Sequence, residues 1–209
     1  MKAVLARVQG PSFVPAVVTP LTPVEAAGRL RAYPHTNKQS GPLLMALIWV
    51  ETTGRPIAYN VGNITASEAK YEGDAWRPPW FEVGPTSSPR LLELHRRMLE
   101  GKAPKAFRAY SNFADGFHDY MVQLERSFPE ALAAANTGDA AAFVDALSQK
   151  YSKDYGPKHY RTFKALQTQF EPWFKDLSAS HRPALTSPSS QLGGALLFGG
   201  ILLLAKALS

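Results

Sequence analysis

The sequence predicts a mainly α, α+β domain in which a helical body carries a small β-hairpin, and three observations predict it. Apolar residues recur at helical spacing through most of the chain beyond residue 88, the signature of amphipathic helices. One earlier run, "PLLMALIWVE", is apolar at every position from Leu43 to Val50, which marks a segment buried on all sides. Between the two lies "RPIAYNVGNITASEAKYEGDAWRPPWFEVGPTSSP", rich in Gly, Pro and aromatic residues, and this composition suits irregular backbone with a short hairpin.

In order along the chain, residues 1 to 23 hold four prolines and read as an extended arm outside the packed body. "VEAAGRLRAY", from Val24, makes a short helix before a turn at Pro34. The apolar run follows, with Pro42 in a first-turn position and Gly54 as a stop, both of which favour a helix. Ser88 and Pro89 start the next helix, which keeps Leu91, Leu94 and Met98 in register and closes at Gly101. A further segment places Phe113, Phe117, Tyr120, Met121 and Leu124 on one face. Gly138 and Asp139 then form a stop and a cap, after which Phe143, Leu147 and Tyr151 continue at four-residue spacing. The last segment carries Tyr160, Phe163, Leu166, Phe170, Trp173 and Leu177, with Pro172 forcing a kink or a new start. Residues 178 to 191, "SASHRPALTSPSSQ", are a Ser- and Pro-rich linker.

Composition bounds the chemistry. A chain of 209 residues with 45% hydrophobic content is expected to build one core of roughly 150 residues with tails. The net charge of +6, from 23 Lys and Arg against 17 Asp and Glu, favours anionic partners such as nucleic acid, anionic lipid or cell-wall polymer. No nucleic-acid motif accompanies it, so nucleic acid is not the expected partner. The lack of cysteine excludes disulfides, thiolate metal sites and a Cys nucleophile. The five histidines show no metal-ligand spacing, so no metal or cofactor is expected. No serine lies in a Gly-x-Ser-x-Gly turn, which leaves an acyl-transfer triad without support.

Glu51 ends the apolar run. An acid at the C-terminal end of a buried helix meets the negative end of the dipole and apolar neighbours, both of which disfavour its ionised form. A carboxyl still protonated near neutral pH can serve as a general acid, as the carboxyl in the hydrophobic pocket of lysozyme does. The plain alternative is that Glu51 marks where the helix reaches solvent. Trp76, Trp80 and Phe81, in the irregular stretch, offer ring faces for the apolar faces of sugars, or else pin that stretch to the core; Trp49, inside the run, reads as core.

Three blocks carry a resemblance. Glu51-Thr52, followed by "YNVGNITA" with Asn60, Gly62 and Asn63, resembles the helix-ending Glu and Asn/Gly loop of lysozyme-like glycosidases. "FRAYSNFADGFHDYMVQL" is similar to the Phe-Arg-x-Tyr segment of bacterial glucosaminidases of the autolysin and flagellar-hydrolase type, with Phe107, Arg108, Tyr110, Phe117, Asp119, Tyr120 and Leu124 in order. "AANTGDAAAFVDALSQKYSKD" is similar to the following stretch of that family and supplies Tyr151 and Asp154, with Tyr160 beyond. The resemblance spans about residues 24 to 168. It implies a lysozyme-like domain acting on β-1,4 links of peptidoglycan glycan strands, as N-acetylglucosaminidase or muramidase, with Glu51 as general acid and Tyr110 bordering the cleft. Thr52, Asn60, Gly62, Asn63, Trp76, Trp80 and Tyr151 are then the expected substrate contacts. The family's second acid has no clear match among Glu68, Glu72, Asp74 and Glu82; Glu82, 31 positions after Glu51, is the chosen candidate. A lytic transglycosylase of the same fold and a non-catalytic glycan-binding or structural protein are the alternatives.

The C-terminal stretch "LGGALLFGGILLLAKALS" runs from Leu192 to Leu208 with Lys206 as its one charge. With Lys206 snorkelling it reaches the lower edge for a membrane-spanning helix, and a helix packed on the domain or in an oligomer is the alternative. A short N-terminal apolar patch broken by Arg7 and Gly10 does not predict a cleaved signal. The expectation is a membrane-anchored enzyme, in a virion with an internal membrane or in a bacterial envelope.

Overall fold

A computed structural model describes residues 10–67, 70–84 and 86–178 of the chain. Among these, helices α1 (Pro23–Arg31), α2 (Ser40–Thr52), α3 (Pro89–Leu99), α4 (Phe113–Ser127), α5 (Pro129–Thr137), α6 (Ala140–Lys150) and α7 (Tyr160–Phe170) make up most of the regular structure, with three short strands. The linker beyond residue 178, the hydrophobic segment Leu192–Leu208, residues 1 to 9 and Glu68 lie outside the described residues. No helix among the described residues is long and apolar enough to cross a membrane.

Helix α2 is the centre. Every residue from Ser40 to Ile48 is buried, because a helix apolar around its whole circumference has no face to give to water. Helices α1, α5 and α7 pack on it, and each Leu or Ile fully buried there contributes roughly 1.5–3 kcal/mol. Gly41 lets the ring of Phe174 lie directly on the helix, where a Cβ would overlap it. Phe174 is brought there by the 3-10 turn Glu171–Trp173 that ends α7. Pro172 lies in the first turn of that 3-10 element, so of the two expectations for it the new start is met and the kink is not.

The helix ends follow local chemistry. Thr22 Oγ1 accepts from the Glu25 N–H, Asn112 Oδ1 from Asp115, and Asp139 Oδ1 from Ala141 and Ala142, each satisfying first-turn donors that have no partner within the helix. Gly138 closes α5 at φ 75°, a left-handed turn that costs glycine no Cβ clash. Helix α5 lies between Leu124, the last residue in the expected register, and the Gly138 stop, a stretch to which the sequence reading gave no helix of its own. Pro129 cannot donate to Glu125 and its ring would meet that carbonyl, so α4 ends and a new helix begins.

The hairpin expectation is corrected. The sheet has the order β1 (Ser12–Phe13), β2 (Asp74–Trp76), β3 (Phe107–Arg108), with β1 parallel and β2/β3 antiparallel. All three strands are distant in sequence. Trp76 stacks on Phe107 with centroids 4.7 Å apart, so an aromatic pair across the sheet, and no local turn, fixes the register. The N-terminal arm is extended over residues 10–22, yet it is packed, contrary to expectation. Leu21 is buried, and the N–H groups of Val14, Thr19 and Leu21 donate to the carbonyls of Ala75, Pro56 and Gly54. Prolines 11, 15 and 20 bar a helix but leave those donors for pairing along an edge.

Two glycines make opposite predictions for one substitution. A Cβ at Gly116 of α4 would overlap the Tyr59 carbonyl oxygen, a backbone atom with little room to yield, whereas Gly28 of α1 has nothing within 4 Å. Gly116→Ala is expected to lower stability by about 1–3 kcal/mol and Gly28→Ala to raise it by about 0.4–1 kcal/mol, both measured by urea denaturation.

Candidate active site

Glu51 sits one residue from the end of α2 and is 8% exposed. Among the described residues it is the one buried carboxylate. Its Oε1 accepts a hydrogen bond from the Tyr155 hydroxyl. Its Oε2 accepts from Asn63 Nδ2 at 3.3 Å, and the same nitrogen donates to the Glu51 main-chain oxygen at 2.9 Å. Asn63 thus ties the helix terminus and the carboxyl together, and in doing so it gives a partner to one of the last carbonyls of α2, which have none within the helix.

Burial pushes the Glu51 pKa up; the hydrogen bonds from Tyr155 and Asn63 oppose that rise, and the charge of Asp154 adds to it. The sequence reading invoked both dipole and burial, and burial is the leading cause. Three phenols face the carboxyl from different elements. Tyr120 comes from α4, Tyr151 caps α6, and Tyr155 lies in the loop that follows. Burial first, and Glu51's charge second, hold all three pKa values well above the ordinary range, so they stay protonated donors. His159 packs against Tyr155 with ring centroids 5.3 Å apart. Burial depresses its pKa, Lys158 pushes the same way and Asp154 opposes.

The loop after α2 holds this arrangement under strain. Thr53, Ala58, Tyr59 and Asn63 all have positive φ, between 48° and 57°, a conformation that costs a non-glycine residue on the order of 1–2 kcal/mol. Such outliers persist only where surroundings over-determine them, and they cluster at functional sites. Here the surroundings are visible. The Ala58 N–H donates to Val17 O and the Tyr59 N–H to Thr19 Oγ1, both from the arm, while Ala58 O accepts from the Tyr110 N–H. Asn60 Nδ2 bonds Ile64 O and Arg108 O, and Asn60 Oδ1 accepts from the Ile64 N–H. Gly62 has no room for a Cβ because the Tyr120 ring rests on it.

Of the expected site residues, the structure brings Glu51, Asn63 and Tyr151 together; Tyr151 reaches the cluster by donating to the Gly62 carbonyl at 3.2 Å. Thr52, Asn60 and Gly62 have internal partners in place of the expected substrate contacts. Thr52 Oγ1 donates to Ile48 O and accepts from the Gly54 N–H, and Asn60 is wholly buried. Trp76 and Trp80, at 0% and 1% exposure, are core residues, which corrects the stacking expectation: a ring with no exposed face has none to offer a sugar. Tyr110 is half-buried and donates to Asp119, whose Oδ2 also takes Arg108 Nη1 at 2.7 Å; no described contact links Tyr110 to Glu51. Glu82 is exposed beyond the 3-10 turn Pro79–Phe81 and has no described contact with the Glu51 cluster. Tyr160, the tyrosine following the third block, bonds Asp145 at the surface.

Tyr155 is the residue that the sequence reading missed. It adjoins Asp154 in "YSKDY", and the usable signal was a tyrosine in a loop flanked by aromatics, since a buried phenol needs a partner for its hydroxyl. Among the described residues no group of three His, Asp or Glu could hold a metal ion.

No protein-family model and no curated protein matches the chain. Among solved structures, the chain is similar to the crystal structure of a peptidoglycan hydrolase mutant from Sphingomonas sp. A1, at 18% identity and a TM-score of 0.41, covering 73% of this chain and 92% of that one.

The raised pKa of Glu51 makes a signed stability prediction. Between the usual value of 4.5 and the raised folded value, the folded state holds a proton that the unfolded state has lost, so stability falls as pH rises through that window. Glu51→Gln removes this slope. The Tm of the variant minus that of the wild type is therefore expected to grow with pH above 4.5 and to level off once the folded Glu51 has ionised, as read by thermal melts across pH.

Proposed function

We propose that the protein is a glycosidase that cleaves β-1,4 bonds of the peptidoglycan glycan strand with Glu51 as general acid. The observation that carries this reading is a carboxyl buried at a helix end, its pKa raised by burial, yet supplied with two donors that suit its ionised form. A group of that kind can protonate a leaving oxygen near neutral pH and then bear the resulting charge. The choice of glycan rests on the three sequence blocks that resemble glucosaminidases, and the net positive charge suits an anionic wall polymer.

A lytic transglycosylase is the second reading, and one observation favours it. Among the described residues no second carboxylate bonds into the Glu51 cluster, whereas hydrolysis with two carboxyl groups needs one on either side of the bond. In the single-acid route Glu51 protonates the leaving oxygen and then takes the proton of the muramic 6-hydroxyl, leaving an anhydro end.

Glu51→Gln is expected to lower turnover at least about 100-fold, the range for loss of a general acid, on a peptidoglycan gel or in solution. Equal clearing by wild type and variant would remove Glu51 from the chemistry. Mass spectrometry of digested sacculi separates the two routes: reducing ends identify the hydrolase and anhydro-muramic ends the transglycosylase.

A further inference from the structure

Glu51's two oxygens are not equivalent. Oε1 takes the Tyr155 hydroxyl, a close hydrogen bond from a buried phenol. Among the described residues, Oε2 takes only the longer contact from Asn63 Nδ2, 3.3 Å away, and that nitrogen is shared with the Glu51 main-chain oxygen. Of two carboxyl oxygens, the one with the closer and unshared donor is the better-placed acceptor, which leaves the acidic proton to the other. A hydrogen bond to an ionised acceptor is roughly twice as strong as one between neutral groups.

We propose that Tyr155 is a positioning residue for Glu51: its hydroxyl occupies Oε1, leaves the transferable proton on Oε2, and stabilises the carboxylate that remains once that proton has gone. This rests on the reading of Glu51 as general acid. In the step, the Oε2 proton moves to the glycosidic oxygen and the bond from the anomeric carbon to that oxygen breaks. The electron pair stays on the departing oxygen as a hydroxyl, and Glu51 is left anionic. The electron-poor anomeric carbon then takes water or an internal hydroxyl, whose proton returns to Oε2. Negative charge on Glu51 therefore grows toward the transition state, and a donor that gains strength with that charge lowers the barrier more than it favours the bound substrate. Tyr155 keeps its own proton throughout, since burial and the nearby carboxylate both hold its pKa well up.

The other groups that face this pair are consistent with the assignment. Tyr120 and Tyr151 approach Glu51 from α4 and the end of α6, Asp154 acts on it from the loop, and Asn63 from the strained turn. His159 packs against Tyr155, and burial and Lys158 lower its pKa while Asp154 opposes them. Tyr151 spends its hydroxyl on the Gly62 carbonyl. Tyr155 therefore supplies the close phenolic donor to the carboxyl.

The test is a carbon-13 titration of the full chain labelled at glutamate carboxyls, comparing wild type with Tyr155→Phe. Loss of a donor that favours the ionised form is expected to move the Glu51 transition to higher pH, and an unmoved or lowered transition overturns the proposal. Should Tyr155→Phe fold poorly, the wild type labelled at tyrosine ζ carbons gives the same answer. The Tyr155 signal should follow Glu51 ionisation and lose that response in Glu51→Gln; a Tyr155 signal blind to Glu51 overturns the assignment. On peptidoglycan, Tyr155→Phe should shift the alkaline limb upward and reduce kcat on the acid plateau about ten-fold with KM within about two-fold, the split of an interaction that strengthens in the transition state. An unchanged plateau kcat removes the charge-stabilising role. Wild-type protein that never cleaves glycan defeats the proposed function, while the titrations, which need no substrate, still decide whether Tyr155 governs Glu51.

Discussion

The carboxyl of Glu51 stands at the end of a helix without a solvent face, and the difficulty of placing an ionised group there organises its surroundings. Removing a lone carboxylate from water costs several kcal/mol even after the protein relaxes. The fold meets that cost in two ways at once: burial favours the protonated form, and Tyr155 and Asn63 limit the penalty when the proton leaves. Either alone would give an inert group, a carboxyl that never ionises or one that always has. Their opposition leaves a group that can exchange its proton within a sheltered site.

That balance depends on parts of the chain far from α2. Asn63 reaches Glu51 only because the turn before it is held in left-handed conformations, and the turn is held from two sides. From the arm, the Val17 carbonyl and the Thr19 hydroxyl oxygen accept from the Ala58 and Tyr59 N–H groups, and the chain at and just beyond β3 supplies the Arg108 carbonyl and the Tyr110 N–H. Trp76 on Phe107 fixes the sheet that carries both supports. The buried tryptophans thus serve the site by positioning the backbone that bears Asn63, and their rings remain in the core.

The helices were legible because their signals are local. Ser88, Asn112 and Asp139 cap from within one turn, and the apolar spacing of α3, α4, α6 and α7 spans only neighbouring residues. The break at Pro129 is also written locally, in a residue that cannot continue the ladder of α4. The sheet was illegible for a different reason. Two- and three-residue strands carry too little pattern to declare a partner, and β1 and β3 lie 62 and 31 residues from β2. The packing of the arm was hidden likewise, since its prolines announce extended backbone and say nothing of the surface it will lie on.

From the sequence alone came the central buried helix, the acid at its end and the Asn/Gly loop that follows, because apolar periodicity and a lone charge after an apolar run are written in consecutive residues. Only the tertiary structure decided what faces that acid. Tyr155 lies 104 positions away, and it meets Glu51 because α7 folds onto the central helix, α6 packs on α5 and α7, and the loop between α6 and α7 is brought to the C-terminal end of α2. Hydrogen-bond partnership is a matter of distance in space, and the chain sets that distance only by burying its apolar faces together.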